Sequence, residues 1–285
     1  MVNNPNRTTI IIGAGPSGIA CATQLKRYNI DPLIFEKESI GGLIKNANLI
    51  ENYPGFPSGI GGNEFIQLLD KQLANNDLKI IFEEIMSIEQ TVDGFNVKSN
   101  KKEYRSDYIV LASGTKPIIP EIFDKYIGNK IFTEIYQLGK ISDKTVAIIG
   151  AGDCAFDYAM NLCPENKVVI LNRSARIKAL PILQNRVFEQ QNIQYLSDTI
   201  VTKVKFVDDK LELLINNAAN NITVDYLLIA VGRLPNLDFV GRQALNNSNL
   251  FQIGDVKNGL FRQSSIAIGD GINTAMKINS ILSKE

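Results

Sequence analysis

The sequence predicts an α/β fold in which one architecture, a central parallel sheet with a small antiparallel sheet, occurs twice. Residues 8–18 and 146–155 are each an apolar, β-rich run that leads through a glycine-rich turn into a helix-compatible segment. Both copies then have a second apolar strand and a closing strand that ends in glycine: 32–36 and 108–114 in the first copy, 167–172 and 226–232 in the second. Repeated β-α-β units of this kind indicate parallel sheets.

A stretch of alternating apolar and polar residues precedes each closing strand. In the first copy it runs from Ile85 to Ile109 around a turn at 92–94. In the second it runs from Ile200 to Leu228 around turns at 208–209 and 216–221. Alternation of this kind is typical of half-buried antiparallel strands. We therefore expect one small antiparallel sheet in each copy.

The end of the chain is predicted to return to the first copy. Residues 250–255 read as one more strand that ends in Gly-Asp, and a helix is predicted from about Ser264 to Leu282. We therefore expect a discontinuous first domain of residues 1–115 and 244–285, with residues 116–243 forming the second domain.

Composition excludes several classes of function. Lys plus Arg and Asp plus Glu both number 30, so no net field favours nucleic acid or an anionic membrane. The sequence has no histidine, which excludes Ser-His-Asp and Cys-His hydrolases, and its three cysteines form no metal pattern. Because the first seven residues are polar, without the apolar run of a signal peptide, we expect a cytoplasmic protein.

The first glycine turn has the pattern Gly-x-Gly-x-x-Gly, formed by Gly13, Gly15 and Gly18. Such glycines allow a tight turn, the approach of a pyrophosphate to the backbone, and close helix–strand packing. Glu36 ends the second strand, 18 residues after Gly18, where an acidic side chain accepts hydrogen bonds from a ribose. The first copy is therefore predicted to be a Rossmann-like domain that binds a dinucleotide.

The second glycine turn repeats the pattern as Gly150, Gly152 and Ala155, with alanine allowed at the third position. Its second strand ends without an acid and leads into a basic segment that includes Arg173 and Arg176. An acid there would disfavour a 2′-phosphate, whereas arginines can bind one. NADPH is therefore predicted, with NADH possible and an ordinary solvated loop as the alternative interpretation.

The sequence resembles the low-molecular-weight thioredoxin reductases from end to end. The segments that carry the resemblance are 40–43, 50–57, 112–114, 254–255 and 262–264. The resemblance implies that these segments bind FAD, with Asp255 bonding the ribityl chain and a helix N-terminus lying under the flavin's pyrimidine edge. The predicted FAD contacts are Gly13, Gly15, Pro16, Ser17, Gly18, Glu36, Lys37, Gly41, Gly42, Leu43, Asn52, Ala112, Ser113, Gly114, Gly254, Asp255, Arg262, Gln263 and Ser264.

The resemblance extends in part to the basic segment. NADPH users of the family carry His-Arg-Arg-x-x-x-Arg there, and this chain aligns Asn172, Arg173, Ser174 and Lys178. The predicted NAD(P) contacts are Gly150, Gly152, Asp153, Cys154, Ala155, Asn172, Arg173, Ser174, Lys178 and Gly232.

The redox-active dithiol of the family is missing. Thioredoxin reductases carry Cys-x-x-Cys and an adjacent acid before the second glycine turn, where this chain aligns Phe132 and Ile135, followed by Tyr136. In the family that dithiol takes electrons from the flavin and attacks the partner's disulfide. We therefore assign no catalytic side chain and no metal site, and expect the chemistry to belong to the flavin.

The remaining cysteines and a nearby acid are candidate replacements for the dithiol and its acid. Cys21 and Cys154 are interpreted as small packing residues, and Cys154 and Cys163 are not expected to pair. Glu134 could be a new acid, although an exposed loop charge is the favoured interpretation.

Together these features predict an FAD-dependent NAD(P)H oxidoreductase whose acceptor is not a dithiol: a ferredoxin or flavodoxin, a quinone, or oxygen. The alternatives are a thioredoxin or disulfide reductase that uses an external or displaced thiol, and a flavin- and nucleotide-binding sensor with little turnover. Expected partners are the two nucleotides and a small electron-carrier protein, and we expect a homodimer.

Overall fold

The computed structural model describes residues 7–216 and 221–284. Its strands are β1 (Thr9–Ile12), β2 (Leu33–Glu36), β3 (Ile80–Phe82), β4 (Ile85–Thr91), β5 (Gly94–Ser99), β6 (Glu103–Ser106), β7 (Tyr108–Leu111), β8 (Thr115–Pro117), β9 (Ile131–Phe132), β10 (Thr145–Ile149), β11 (Lys167–Leu171), β12 (Ile193–Leu196), β13 (Val201–Val207), β14 (Lys210–Ile215), β15 (Ile222–Val224), β16 (Tyr226–Ile229), β17 (Arg233–Pro235) and β18 (Leu250–Gln252). Its α-helices are α1 (Pro16–Arg27), α2 (Gly62–Asn75), α3 (Asp153–Leu162), α4 (Pro181–Phe188), α5 (Arg242–Leu245) and α6 (Ser264–Leu282). Short 3₁₀ helices lie at Gly42–Asn46, Glu121–Tyr126, Ile135–Leu138 and Gly254–Val256.

The chain forms two compact units. The first contains the described residues up to Lys45, then Ile50–Lys116, and those from Leu234 onward; the second contains Asn46–Leu49 and Pro117–Arg233. The first unit is discontinuous, and it takes up residues 234–243, which the sequence analysis placed in the second domain. These residues belong to the first unit because their backbone pairs with β4. The Ile88 N–H donates to the Phe239 carbonyl oxygen (2.9 Å), and the Gly241 N–H donates to the Ile88 carbonyl oxygen (2.8 Å).

The first unit is built on a five-stranded sheet in the order β18-β7-β1-β2-β3, with every neighbouring pair parallel. β1 is buried along its whole length, as expected for a strand covered on both faces. β4, β5 and β6 form the predicted antiparallel sheet. Helix α6 packs closely on α1 because Gly271 has no side chain, and a Cβ there would lie 2.2 Å from the Ser17 carbonyl oxygen.

The second unit repeats this plan with the parallel order β12-β11-β10-β16-β9. Its antiparallel sheet is β13-β14-β15, and the β13–β14 turn places Asp208 and Asp209 at φ of 47° and 60°. Two successive positive φ angles match the twist of a tight hairpin. The predicted α/β architecture is therefore confirmed in both copies.

The end of the chain returns to the first unit, as predicted. β18 pairs in parallel with β7, and α6 begins at Ser264 and ends at Leu282. Among the described residues, no helix is long and apolar enough to span a membrane.

Candidate nucleotide-binding sites

The turn between β1 and α1 has the geometry that its glycines predict. Gly13 lies at φ 106°, and a Cβ there would meet the Ala112 carbonyl oxygen at 2.3 Å. A Cβ on Gly15 would meet no described atom within 4 Å, so the space above its backbone is open. In the described chain no side chain caps α1, which leaves its first N–H groups for an anion. The turn fits a dinucleotide pyrophosphate.

Glu36 lies beside this turn and is already engaged by the backbone. Its Oε2 accepts the Ala14 N–H (2.9 Å) and its Oε1 accepts the Glu38 N–H (3.0 Å). A carboxylate offers about four lone-pair directions, so acceptor capacity remains for ribose hydroxyls. The Gly41 N–H donates to Ala14 (2.8 Å), which brings the predicted Gly41–Gly42 segment to the same turn.

The turn that carries Gly254 and Asp255 is held by a residue that the sequence analysis missed. Asp270, on α6, accepts hydrogen bonds from the Gly254 N–H (3.1 Å), from Asn258 (2.6 Å) and from Lys257 (2.7 Å). Asn258 also donates back to the Gly254 carbonyl (2.9 Å). The signal available in the sequence was that Asp270 is the only acidic residue of α6.

Asn52 and Gln263 are brought together although they lie far apart in the chain. The Asn52 amide donates to the Gln263 side-chain oxygen at 2.8 Å. Gln263 precedes α6, and within the described residues no side chain caps that helix. The free N–H groups of its first turn fit the electron-rich edge of a flavin, as the resemblance implied.

The other predicted FAD contacts occupy separate parts of the first unit. Ser113 Oγ donates to the Asn236 carbonyl (2.8 Å), and the Asn236 N–H donates to Gly114 (3.1 Å). Leu43 lies in the 3₁₀ helix after Gly41, and Lys37 is exposed beside Glu38. Their contacts with FAD stay predictions.

The second glycine turn has the same geometry as the first. Gly150 lies at φ 133°, and a Cβ there would meet the Ala230 carbonyl oxygen at 2.3 Å. A Cβ on Gly152 would meet nothing within 4 Å in the described chain, and no described side chain caps α3. This turn therefore also fits a pyrophosphate, while Gly232, on the exposed loop after β16, stays a predicted contact.

The basic segment after β11 presents three exposed cations. Arg173, Arg176 and Lys178 are exposed and form no ion pair or side-chain hydrogen bond within the described residues. Asn172, by contrast, is buried and bonds within the loop. Asp153 is also engaged, since its Oδ1 accepts the Leu180 N–H at 2.8 Å.

Glu134 is buried, so its interpretation as an exposed loop charge was wrong. Only 6% of the residue is exposed, and its carboxylate is ion-paired with Arg233. It also accepts hydrogen bonds from Asn46 (2.6 Å) and from the Tyr158 hydroxyl (3.1 Å). Burial raises the pKa of Tyr158, which keeps this hydroxyl protonated as a donor. A buried charge needs such partners to be stable.

The positions aligned with the family's dithiol are apolar and packed. Phe132 pairs in β9 with Leu228 and lies against the Tyr226 ring at 6.4 Å. Ile135 is buried in the core of the second unit, whereas Tyr136 is 38% exposed. These side chains contribute packing and no redox chemistry.

The three cysteines are free thiols in different surroundings. Cys21 is buried, as predicted, and burial raises its pKa to about 12. Cys154 is exposed, so its interpretation as a packing residue was wrong. Its pKa is nevertheless raised to about 11, chiefly because neighbouring atoms desolvate the thiol. Burial also raises the pKa of Cys163. Because thiolates are the nucleophiles, the raised pKa values disfavour nucleophilic chemistry at all three thiols.

No metal centre is formed in the part of the chain that the structure describes. Within residues 7–216 and 221–284, no three His, Cys, Asp or Glu side chains are grouped so as to hold an ion.

The two units, each with a parallel sheet and a glycine turn, define a protein built to bind two dinucleotides. A family comparison then identifies the family. The chain belongs to the pyridine nucleotide-disulphide oxidoreductases, whose family description matches residues 7–271. It is therefore an FAD-dependent pyridine nucleotide oxidoreductase. The resemblance stated from the sequence is therefore confirmed for the family and for this class of enzyme.

Individual relatives are thioredoxin reductases. The chain is 25% identical to that of Chlamydia trachomatis, covering 96% of this chain and 97% of the relative. It is 26% identical to that of Bacillus subtilis, covering 94% and 92%.

Solved structures with the same fold include a thioredoxin reductase and a bacillithiol disulfide reductase. Lactococcus lactis thioredoxin reductase has a TM-score of 0.89 at 24% identity, covering 98% of this chain and all of that one. The bacillithiol disulfide reductase of Bacillus cereus has a TM-score of 0.78 at 21% identity, covering 96% and 99%. At these identities the similarity shows the fold alone.

Proposed function

We propose that this protein is an NADPH-dependent flavoenzyme that delivers electrons to an acceptor other than a dithiol of its own. FAD is assigned to the first unit and NADPH to the second. The bound flavin would supply the redox chemistry, taking hydride from NADPH and passing electrons onward. A ferredoxin or flavodoxin, a quinone or oxygen is the proposed acceptor.

The observation that carries the proposal is the state of the cysteines. The sequence has only Cys21, Cys154 and Cys163, and no two of them have the Cys-x-x-Cys spacing. The aligned positions hold packed apolar side chains instead. A thiol relay needs a thiolate that can attack a disulfide, and the raised thiol pKa values oppose its formation.

The residues of each unit support binding and orientation. The N-terminus of α1 and the Glu36 carboxylate suit the FAD pyrophosphate and ribose, and Asp255 suits the ribityl chain. The N-terminus of α3 suits the NADPH pyrophosphate. Arg173 and Arg176, which form no ion pair with any described residue, favour a 2′-phosphate over a bare ribose.

Disulfide reduction by a displaced thiol is the second candidate. The relatives are named thioredoxin reductase, and Cys154 is exposed. A thioredoxin-type disulfide would then be the substrate, with Cys154 or an added thiol as the relay.

An acceptor comparison tests the proposal. We expect the NADPH-reduced protein to turn over ferricyanide, a quinone or a ferredoxin, and to reduce a thioredoxin disulfide negligibly without added thiol. Cys154→Ser should retain turnover of these acceptors, because the proposed path of electrons uses no thiol. Rapid thioredoxin reduction that Cys154→Ser abolishes would contradict the proposal and establish the second candidate.

A homodimer and a cytoplasmic location remain part of the proposal. Sedimentation of the holoprotein tests whether it is a homodimer.

A further inference from the structure

The basic segment that presents the cations is anchored at both ends. At its start, the Asn172 side chain lies buried at the end of β11. At its far end, the Lys178 N–H donates to the Ala151 carbonyl (2.8 Å), and the Leu180 N–H donates to Asp153 (2.8 Å). The segment is therefore tied directly to the second glycine turn, where the pyrophosphate is assigned.

Both amide hydrogens of Asn172 are used inside the protein. One bonds the Arg176 carbonyl oxygen (3.0 Å) and the other bonds the Tyr195 hydroxyl (2.8 Å). The Asn172 Oδ1 faces the Ser174 N–H (3.4 Å). The carboxamide thus bridges the loop to β12 and has no N–H left to donate to a phosphate.

The ring of Tyr195 is itself held in place by aromatic packing. It meets Phe188 edge-on with ring centroids 5.7 Å apart, and it lies 6.3 Å from Phe156 on α3. Aromatic pairs at such distances restrict the ring. Its hydroxyl is therefore presented to Asn172 from a rigid base.

We infer that Asn172 and Tyr195 form a positioning pair that sets specificity for the 2′-phosphate of NADPH. The pair holds the backbone of the loop that carries Arg173 and Arg176, the two exposed guanidinium groups assigned to the 2′-phosphate. Asn172 thus acts through the loop and not through the direct contact with the nucleotide that the family resemblance implied. This inference rests on the assignment of NADPH proposed above.

The test uses the holoprotein and two probes, 2′,5′-ADP and 5′-AMP, which differ only in the 2′-phosphate. Calorimetric titration of Tyr195→Phe should show about three- to tenfold weaker binding of 2′,5′-ADP, the worth of one neutral hydrogen bond. Binding of 5′-AMP should change less than about twofold. Tyr126→Phe, which removes the hydroxyl of a half-buried tyrosine elsewhere in the second unit, should change neither.

A double-mutant cycle separates positioning from direct contact. If the pair acts as one unit, Asn172→Ala and the double variant should weaken 2′,5′-ADP binding by a similar factor, less than the product of the single effects. Fully additive losses, equal losses for both probes, or an unchanged preference in Tyr195→Phe would overturn the pair while leaving NADPH assigned. A parent protein that binds both probes equally would overturn the assignment of NADPH and the pair with it.

Discussion

Asp270 shows how one side chain outside a recognised motif can organise a binding turn. Its carboxylate accepts hydrogen bonds from three donors in the Gly254–Asn258 turn, which contains Asp255, a predicted FAD contact. Burial acts to raise the pKa of Asp270, but hydrogen bonds from Lys257, Asn258 and the Gly254 N–H outweigh it and hold the pKa below its ordinary value. The charged form is therefore the one that the folded turn selects.

We expect Asp270→Asn to weaken FAD binding by about tenfold, equivalent to roughly 1.4 kcal/mol, because the turn loses charge-assisted hydrogen bonds. Fluorescence titration of the apoprotein with FAD measures the change. Asp70→Asn, an exposed carboxylate on α2, is the matched control and should bind as the parent does.

The same substitution has a defined pH dependence. A depressed pKa contributes stability above the ordinary Asp pKa of about 4, and that contribution is lost as pH falls through the folded-state pKa. The difference in the free energy of unfolding between the parent and Asp270→Asn should therefore have its full size at neutral pH and should shrink as the pH falls. A difference in unfolding free energy that grew below pH 4 would refute this role of Asp270.

At the scale of elements, the segment aligned with the missing dithiol is a fixed part of the second unit. Glu134 begins the 3₁₀ helix Ile135–Leu138, where Gln137 completes a capping box with it. Its carboxylate joins this helix to Tyr158 on α3 and to Arg233 at the start of β17. One buried charge thus connects three elements.

Glu134→Gln should lower the free energy of unfolding of the second unit by about 2–4 kcal/mol, because it removes the buried charge that pairs with the half-buried Arg233. Urea unfolding followed by circular dichroism measures the loss. Glu165→Gln, an exposed acid in the same unit, should change it little. Equal stability of the two variants would show that the ion pair contributes nothing net.

At the scale of the whole molecule, the two units are assigned different nucleotides. A ligand that binds only the folded form of one unit stabilises that unit by about 2.7 kcal/mol at 100 times its Kd. The division of the chain therefore gives a map of where each ligand should act.

We expect FAD added to the apoprotein to slow amide exchange in 7–45, 50–116 and 234–284. We expect 2′,5′-ADP to slow it in 117–216 and 221–233. Hydrogen exchange with mass spectrometry resolves both sets of peptides, with 5′-AMP as the weaker-binding control. If FAD slowed amide exchange in the second unit and not in the first, the assignment of the two sites would be contradicted.

The sequence by itself determined the glycine turns, the strands that flank them, and the strand and helix at the end of the chain. These features are local, because the 2.0-residue period of strands, the glycines at Gly13 and Gly150, and the acid at Glu36 each mark structure within a few residues. The family resemblance and the absence of a Cys-x-x-Cys pair could be read in the same way. The start of α6 at Ser264 was predicted for the same reason.

Only the tertiary structure decided which side chains are buried together. Glu134 meets Arg233 across 99 positions and Asn46 across 88, Tyr195 meets Asn172 across 23, and none of these pairs has a periodic signature. Residues 234–243 joined the first unit for the same reason, through backbone pairing with Ile88. A charge on a loop looks solvated in sequence, and only the packing of distant segments removes the water around it and supplies its partners.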